Sequence, residues 1–242
     1  MNTESREIRI SGLPVHILRK PIKNLHLGVY PPHGRVRVAA PLRMSDNAVR
    51  LAVISRLGWI KKQRTRFQSQ ERQSAREYVS RESHYYLGRR YLMNVVERDG
   101  PPRIALRNKS ALELHVPRGM GGVSRERLLR DWYRKELKGL IPPMVEKWET
   151  VTGVKVATWG VRKMKTKWGS CNSSERRIWL NLELAKKPIQ CLEYIIVHEM
   201  VHLLERRHND RFAELLDKFM PTWRLHRDEL NRAPLSHETW SY

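Results

Sequence analysis

A chain of 242 residues, 40% hydrophobic and 30% charged, can bury one large core or two modest ones, which excludes a marginal mini-protein and a disordered chain. Two cysteines, Cys171 and Cys191, exclude a disulfide framework and a four-cysteine zinc ribbon, and no run of 18 apolar residues or apolar leader is seen, so the expectation is a reduced, cytoplasmic protein with no membrane span. Forty-seven Lys and Arg against 25 Asp and Glu give a net charge of +22, which attracts polyanions and makes nucleic acid a possible partner, with a merely solubilising surface as the alternative.

In chain order, the first segments alternate apolar and polar residues at Ile8 and Ile10, then Leu25, Leu27 and Val29, then Val36 and Val38. Broken by Pro31, Pro32 and Gly34, they predict a β meander. Ser45 is placed to cap a helix with Val49, Val53, Leu57 and Ile60 on one face and Arg50, Arg56, Lys61, Lys62, Arg64 and Arg66 over the rest. From Phe67 to Glu82 the sequence is polar and weakly periodic, compatible with a helix extension or a linker. A second strand group follows through 91–96, 104–106 and 112–116, with a turn at Asp99-Gly100-Pro101-Pro102. Ser124 then opens a helix whose stripe is Leu128, Leu129, Trp132, Leu137 and Leu140, and Pro142 with Pro143 should kink or restart it. No internal repeat is visible.

Residues 188–206, PIQCLEYIIVHEMVHLLER, predict a helix with Pro188 at its start and apolar residues at Ile189, Leu192, Ile196, Met200 and Leu203. His198 and His202 lie four apart, so their imidazoles leave one face a turn apart and can converge on one ion. Glu199 stands beside them. Two neutral imidazoles holding a metal, with a carboxylate positioned to take a proton from an activated water, is the arrangement zinc hydrolysis needs. From the chain's own His and Glu frequencies an accidental H-E-x-x-H is expected about 0.03 times. A hydrolytic zinc site also wants a third protein ligand and an open position. His208, six residues after His202 and just before Asn209 or Asp210 as cap of a helix through Phe212, Leu215, Leu216 and Phe219, is the best candidate. The competing reading is two histidines satisfied by hydrogen bonds in a core.

The sequence resembles the YgjP-like zinc metallopeptidases, relatives of the SprT-like and wider zincin groups. The resemblance is carried by Lys167-Trp168-Gly169-Ser170-Cys171, by Ile178 to Leu182 with Asn181, by the HEMVH helix, by Arg207-His208-Asn209 leading into Phe212, and by Pro221-x-Trp223. It implies a zincin-like core, His198, His202 and His208 as ligands, Glu199 as general base, and peptide-bond hydrolysis. By analogy with related zincins it also suggests an edge strand that pairs with extended substrate, for which Ile178 to Leu182 is the candidate. A metzincin shares the six-residue offset of its third His but places Gly where this chain has Glu205, and a gluzincin would use a downstream Glu, of which Glu214 is the nearest. The SprT-like relationship points towards DNA-bound proteins, yet the cysteine-bound second zinc module of that group is absent.

The remaining candidates have weaker roles. Ser170 and Cys171 lack a free base for nucleophilic work and read as structural. Cys191 and Tyr194 share the face of His198, and Tyr194 reads as packed, with oxyanion binding as the alternative. His226 and His237 read as surface histidines, and Glu205 or Asp210 as possible supports for a ligand imidazole. The combined expectation is an α+β protein with a basic β-rich region at 1–122 and a helical zincin-like domain with a small antiparallel sheet at 123–242. Its function is a metallopeptidase with one zinc per chain and protein or peptide substrates. The rivals are a nucleic-acid binder with a structural or vestigial zinc site, closed by a fourth ligand such as His226 or a Cys, and a zinc amidohydrolase acting on a non-peptide amide.

Overall fold

The computed structural model describes residues 5–30, 34–69, 76–164 and 167–232 and has both strands and helices, as an α+β protein should. The calls on Pro31, Pro32 and His237, and residues 70–75 of the polar stretch, lie outside the described residues. Two compact units divide between residues 75 and 76.

In the first unit, β1 (Ser5–Ile10) and β2 (Leu13–Lys20) form a hairpin through Ser11 and Gly12, at φ of 48° and 78°. Those positive values suit a two-residue hairpin turn whose twist matches the strands. With β3 (His26–Tyr30) and β4 (Arg35–Pro41) the sheet order is β1-β2-β4-β3, β2 and β4 being parallel. The expected meander is therefore corrected. Val15 faces Val36 and Ile17 faces Val38 across the central pair, so the two most strongly alternating strands take the middle and β3 is left at the edge. Ser45 caps α1 (Asp46–Ile54), its Oγ accepting from the Ala48 amide at 3.3 Å. The single expected helix is broken after Ile54, and α2 runs Leu57–Ser69. Val49, Val53 and Ile60 still complete one core with Ile10, Val15, Ile17, Val36, Val38 and Ala40.

The second unit opens with β5 (Ser83–Tyr86), β6 (Arg89–Glu97), β7 (Arg103–Arg107) and β8 (Ala111–Val116) in the order β5-β6-β8-β7, with β6 and β8 parallel. This repeats the first sheet. Gly88 stands 76 positions after Gly12, and the hairpin at Leu87 and Gly88 has φ of 46° and 80°. At the same offset the buried residues Ile10, Val15, Ile17, Val36, Val38 and Ala40 are answered by Tyr86, Tyr91, Met93, Leu112, Leu114 and Val116. The repeat escaped the sequence reading because burial, rather than residue identity, is what recurs; Pro41-x-x-Met44 and Pro117-x-x-Met120 are among its few shared letters.

From Gly122 to Thr152 a single helix, α3, buries Leu129, Tyr133, Leu137, Ile141, Val145 and Trp148 on one stripe and ends at Gly153, whose φ of 72° suits a left-handed cap. Pro142 and Pro143 lie inside it without dividing it, because Leu137 before them and Val145 and Trp148 after them bury into the same core. That packing offsets the missing amide donors. Leu112, Leu114 and Val116 belong to the same core as α3, so the second strand group packs with the helices that follow it.

Strands β9 (Thr158–Arg162), β10 (Gly169–Asn172) and β11 (Arg177–Asn181) form a second, smaller sheet in the order β10-β11-β9. It is mixed rather than antiparallel, since β11 runs antiparallel to β10 but parallel to β9. A 3-10 turn at Leu182–Lys186 leads to α4 (Ile189–Val201), followed by α5 (Asp210–Phe219) and α6 (Trp223–Arg232). Nine residues of α4 are buried, so it is the central helix of this core.

Candidate metal centre

The α4 ladder ends at Val201 with His202 as its cap, and the chain turns back through Leu203 to Arg207. Asn209 then caps α5, its Oδ1 accepting from the Phe212 amide at 3.0 Å. The turn brings His208 against the two helix histidines. His208 Nε2 lies 3.0 Å from His198 Nε2 and 3.1 Å from His202 Nε2, and the three can hold a metal ion. Tetrahedral zinc with nitrogen ligands at about 2.0–2.1 Å sets its ligand atoms about 3.3 Å apart, so the donor set is close to the size the ion requires.

Two further contacts orient the rings. His202 Nδ1 is 3.0 Å from the Glu205 carbonyl oxygen, which accepts only if Nδ1 carries the proton, leaving the Nε2 lone pair for a metal. The Phe212 ring packs 4.9, 4.6 and 4.7 Å from the centroids of His198, His202 and His208 and forms one wall for all three. Burial holds the His198 imidazole down at about 3, helped by the neighbouring His202 and His208, and burial lowers His202 too. Neutral imidazoles are the ligating form.

Glu199 is 4% exposed, and burial pushes its carboxyl up to about 8 against the opposing charge of Lys167. The backbone of β10 presses on it. A Cβ at Gly169 would sit 2.7 Å from Glu199 Cγ and 2.8 Å from Cδ, so the glycine of the Trp168-Gly169-Ser170-Cys171 stretch is required for space. Cys171 lies in the same cleft, but burial, then the Glu199 charge, push its thiol up to about 11, which is no nucleophile at neutral pH. Tyr194 Oη is 3.5 Å from His198 Nδ1 while its ring stacks on Trp223 at 6.3 Å and 16°, a packed residue that touches a histidine of the group.

Asn181 is the anchor of the segment before β10. Its side-chain amide donates to the Met164 and Lys167 carbonyls at 2.9 and 2.7 Å, and its Oδ1 accepts from the Met164 and Glu183 amides. The expected substrate-pairing strand needs correction. Residues 177–181 form the central strand of the small sheet, its hydrogen-bonding edges taken by β9 and β10, so the edge beside Glu199 is β10.

Among the described residues the group contains no fourth ligand. His226 Nε2 is engaged with Thr222 Oγ1 at 3.1 Å, and Glu214 is exposed on α5 outside the group. Asp210 sits in the first turn of α5, while Glu205 supports His202 through its backbone carbonyl. Sequence reasoning missed Lys167, Arg206 and Arg227, which line the cleft of about 560 Å³ over the site. No spacing marks them in a chain with 47 basic residues.

Residues 23–233 match the family described as YgjP-like, metallopeptidase domain. No curated protein matches the chain. Among the described residues no helix is long and apolar enough to cross a membrane.

Proposed function

The chain belongs to the YgjP-like metallopeptidase family, and from that premise we propose that it is a zinc-dependent peptidase with His198, His202 and His208 as ligands, one zinc per chain and Glu199 as general base. The observation that carries the proposal is the convergence of three Nε2 atoms, two of them 3.0 and 3.1 Å from the third, beside a buried carboxylate. Zinc, when bound, supplies a Lewis acid that polarises the scissile carbonyl and acidifies the attacking water. Glu199 takes the proton of that water and passes it to the leaving amine, with no covalent intermediate. Its raised proton affinity suits both halves of the transfer near neutral pH. The free edge of β10 aligns an extended peptide by adding a strand, and the missing side chain at Gly169 lets the β10 backbone lie against the Glu199 carboxylate. Two free cysteines support a reducing, cytoplasmic setting.

The test is a pair of measurements. Purified protein should carry about one zinc per chain and cut an unstructured protein such as casein. Glu199→Gln should keep the metal and lose at least about 1000-fold in turnover. Full activity in that variant contradicts the mechanism, and a His208→Ala protein that retains its metal removes His208 from the ligand set.

A second reading is favoured by charge. Residues 1–75 carry 15 Lys and Arg against 4 Asp and Glu, a balance that supports binding of nucleic acid and hence cleavage of proteins associated with it. Retention on DNA or RNA at low salt should then fall steeply as salt rises, and a flat response rejects it.

A further inference from the structure

We infer that the cleft over the three histidines selects peptides bearing a carboxylate close to the scissile bond, either an Asp or Glu side chain or the free end of the chain. This specificity rests on the peptidase reading and deepens it. Three cations from three separate segments line the one cleft: Lys167 before β10, Arg206 in the turn after α4, and Arg227 on α6. The only carboxylate among its lining residues is Glu199, which is buried beneath it.

The cations are placed to act on what enters. Lys167 and Arg206 line the same cleft as Cys171, Glu199 and the three histidines. Among the described residues neither forms an ion pair. Arg227 is held in place, its Nε donating to Asp228 at 3.2 Å and its guanidinium lying 5.0 Å from the Trp223 ring centroid. A divalent ion held by His198, His202 and His208 would add to the same positive field. A substrate cation entering the cleft meets the like charges of Lys167 and Arg206, whereas a carboxylate pairs with one of them.

The test measures binding apart from turnover. Fluorescein-labelled eight-residue peptides, identical except for Glu, Gln or Lys at the central position, and each made with a free or an amidated carboxyl end, are titrated into zinc-loaded Glu199→Gln protein and followed by anisotropy. The Glu peptide should bind at least about tenfold more tightly than the Lys peptide, with Gln between, if side-chain carboxylates are selected. A loss of similar size on amidation would assign the preference to the chain terminus instead. Arg206→Glu and Lys167→Glu, each placed in the Glu199→Gln background, should abolish or invert the ranking. Equal binding of all six peptides, tighter binding of Lys, or a ranking untouched by both charge reversals overturns the inference. Turnover by the wild-type enzyme is scored separately, so carboxylate-selective binding without cleavage would sink the peptidase reading while leaving the selectivity standing.

Discussion

The sheets β1–β4 and β5–β8 have the same strand order and the same hairpin, yet the units they belong to bury different chemistry. Around the first sheet the buried core consists of nine aliphatic residues. The second unit holds all the buried polar and charged residues among the described residues, namely His84, His115, Thr152, Asn181, Lys187 and Glu199. Desolvating such groups is costly and is tolerated where hydrogen bonds or function require it. A shared sheet topology therefore says little about activity; what distinguishes the units is the chain that follows each sheet. After the first come two short helices with a basic surface, and after the second come α3, the small sheet and the histidine-bearing α4.

The sharpest way to break this contrast is Gly169→Ala. The new methyl displaces the Glu199 carboxylate, and peptide hydrolysis should fall by about 100-fold while bound zinc is retained, as assayed by turnover beside metal analysis. Unchanged activity would show that β10 does not confine Glu199. Next come paired core deletions. Ile17→Ala and Leu114→Ala remove fully buried side chains and should each cost about 2–5 kcal/mol by urea unfolding. Only the Leu114 change should lower the urea concentration at which hydrolysis is lost, because Leu114 shares a core with α3 and α4.

The buried imidazole of His84 offers a pH test confined to the second unit. Burial holds it down at about 4 although the Glu82 carboxylate accepts a hydrogen bond from its Nε2 at 3.0 Å. The unfolded chain takes up this proton near pH 6.5 and the folded chain only near 4, so the stability is present in full above pH 6.5 and declines as pH falls between the two values. Unfolding at pH 7 and pH 4.5 should show a loss of up to about 3 kcal/mol from this group, and His84→Gln should flatten that part of the profile. The smallest effect on hydrolysis is expected from Lys61→Glu with Lys62→Glu, both exposed on α2. Turnover should be unchanged while low-salt retention on nucleic acid weakens, and a parallel loss of turnover would tie the basic face to catalysis.

Local chemistry made much of the site legible beforehand. The four-residue spacing of His198 and His202, the carboxylate of Glu199 between them, and the cap at Asn209 that makes the chain turn at His208 all depend on helix geometry and capping, which act over a few residues. The α+β class, the Ser45 cap and the burial of Val49, Val53 and Ile60 follow from apolar periodicity in the same way. Strand order is another matter. A segment such as Ile178 to Leu182 reads as a strand from its own residues, but whether it lies at an edge or in the centre depends on β9 and β10, whose pairing is set by long-range contacts.

The sequence by itself thus determined the H-E-x-x-H spacing of His198, Glu199 and His202, the candidate third donor at His208 and the family, because each is written in residue types at short fixed spacings. Only the tertiary structure decided that β10 is the edge strand that lies against Glu199, that two sheets repeat one topology, and that Lys167, Arg206 and Arg227 meet over one cleft. The physical reason is distance along the chain. A helix turn constrains neighbours a few residues apart, while burial of a common core brings together segments that no local rule relates.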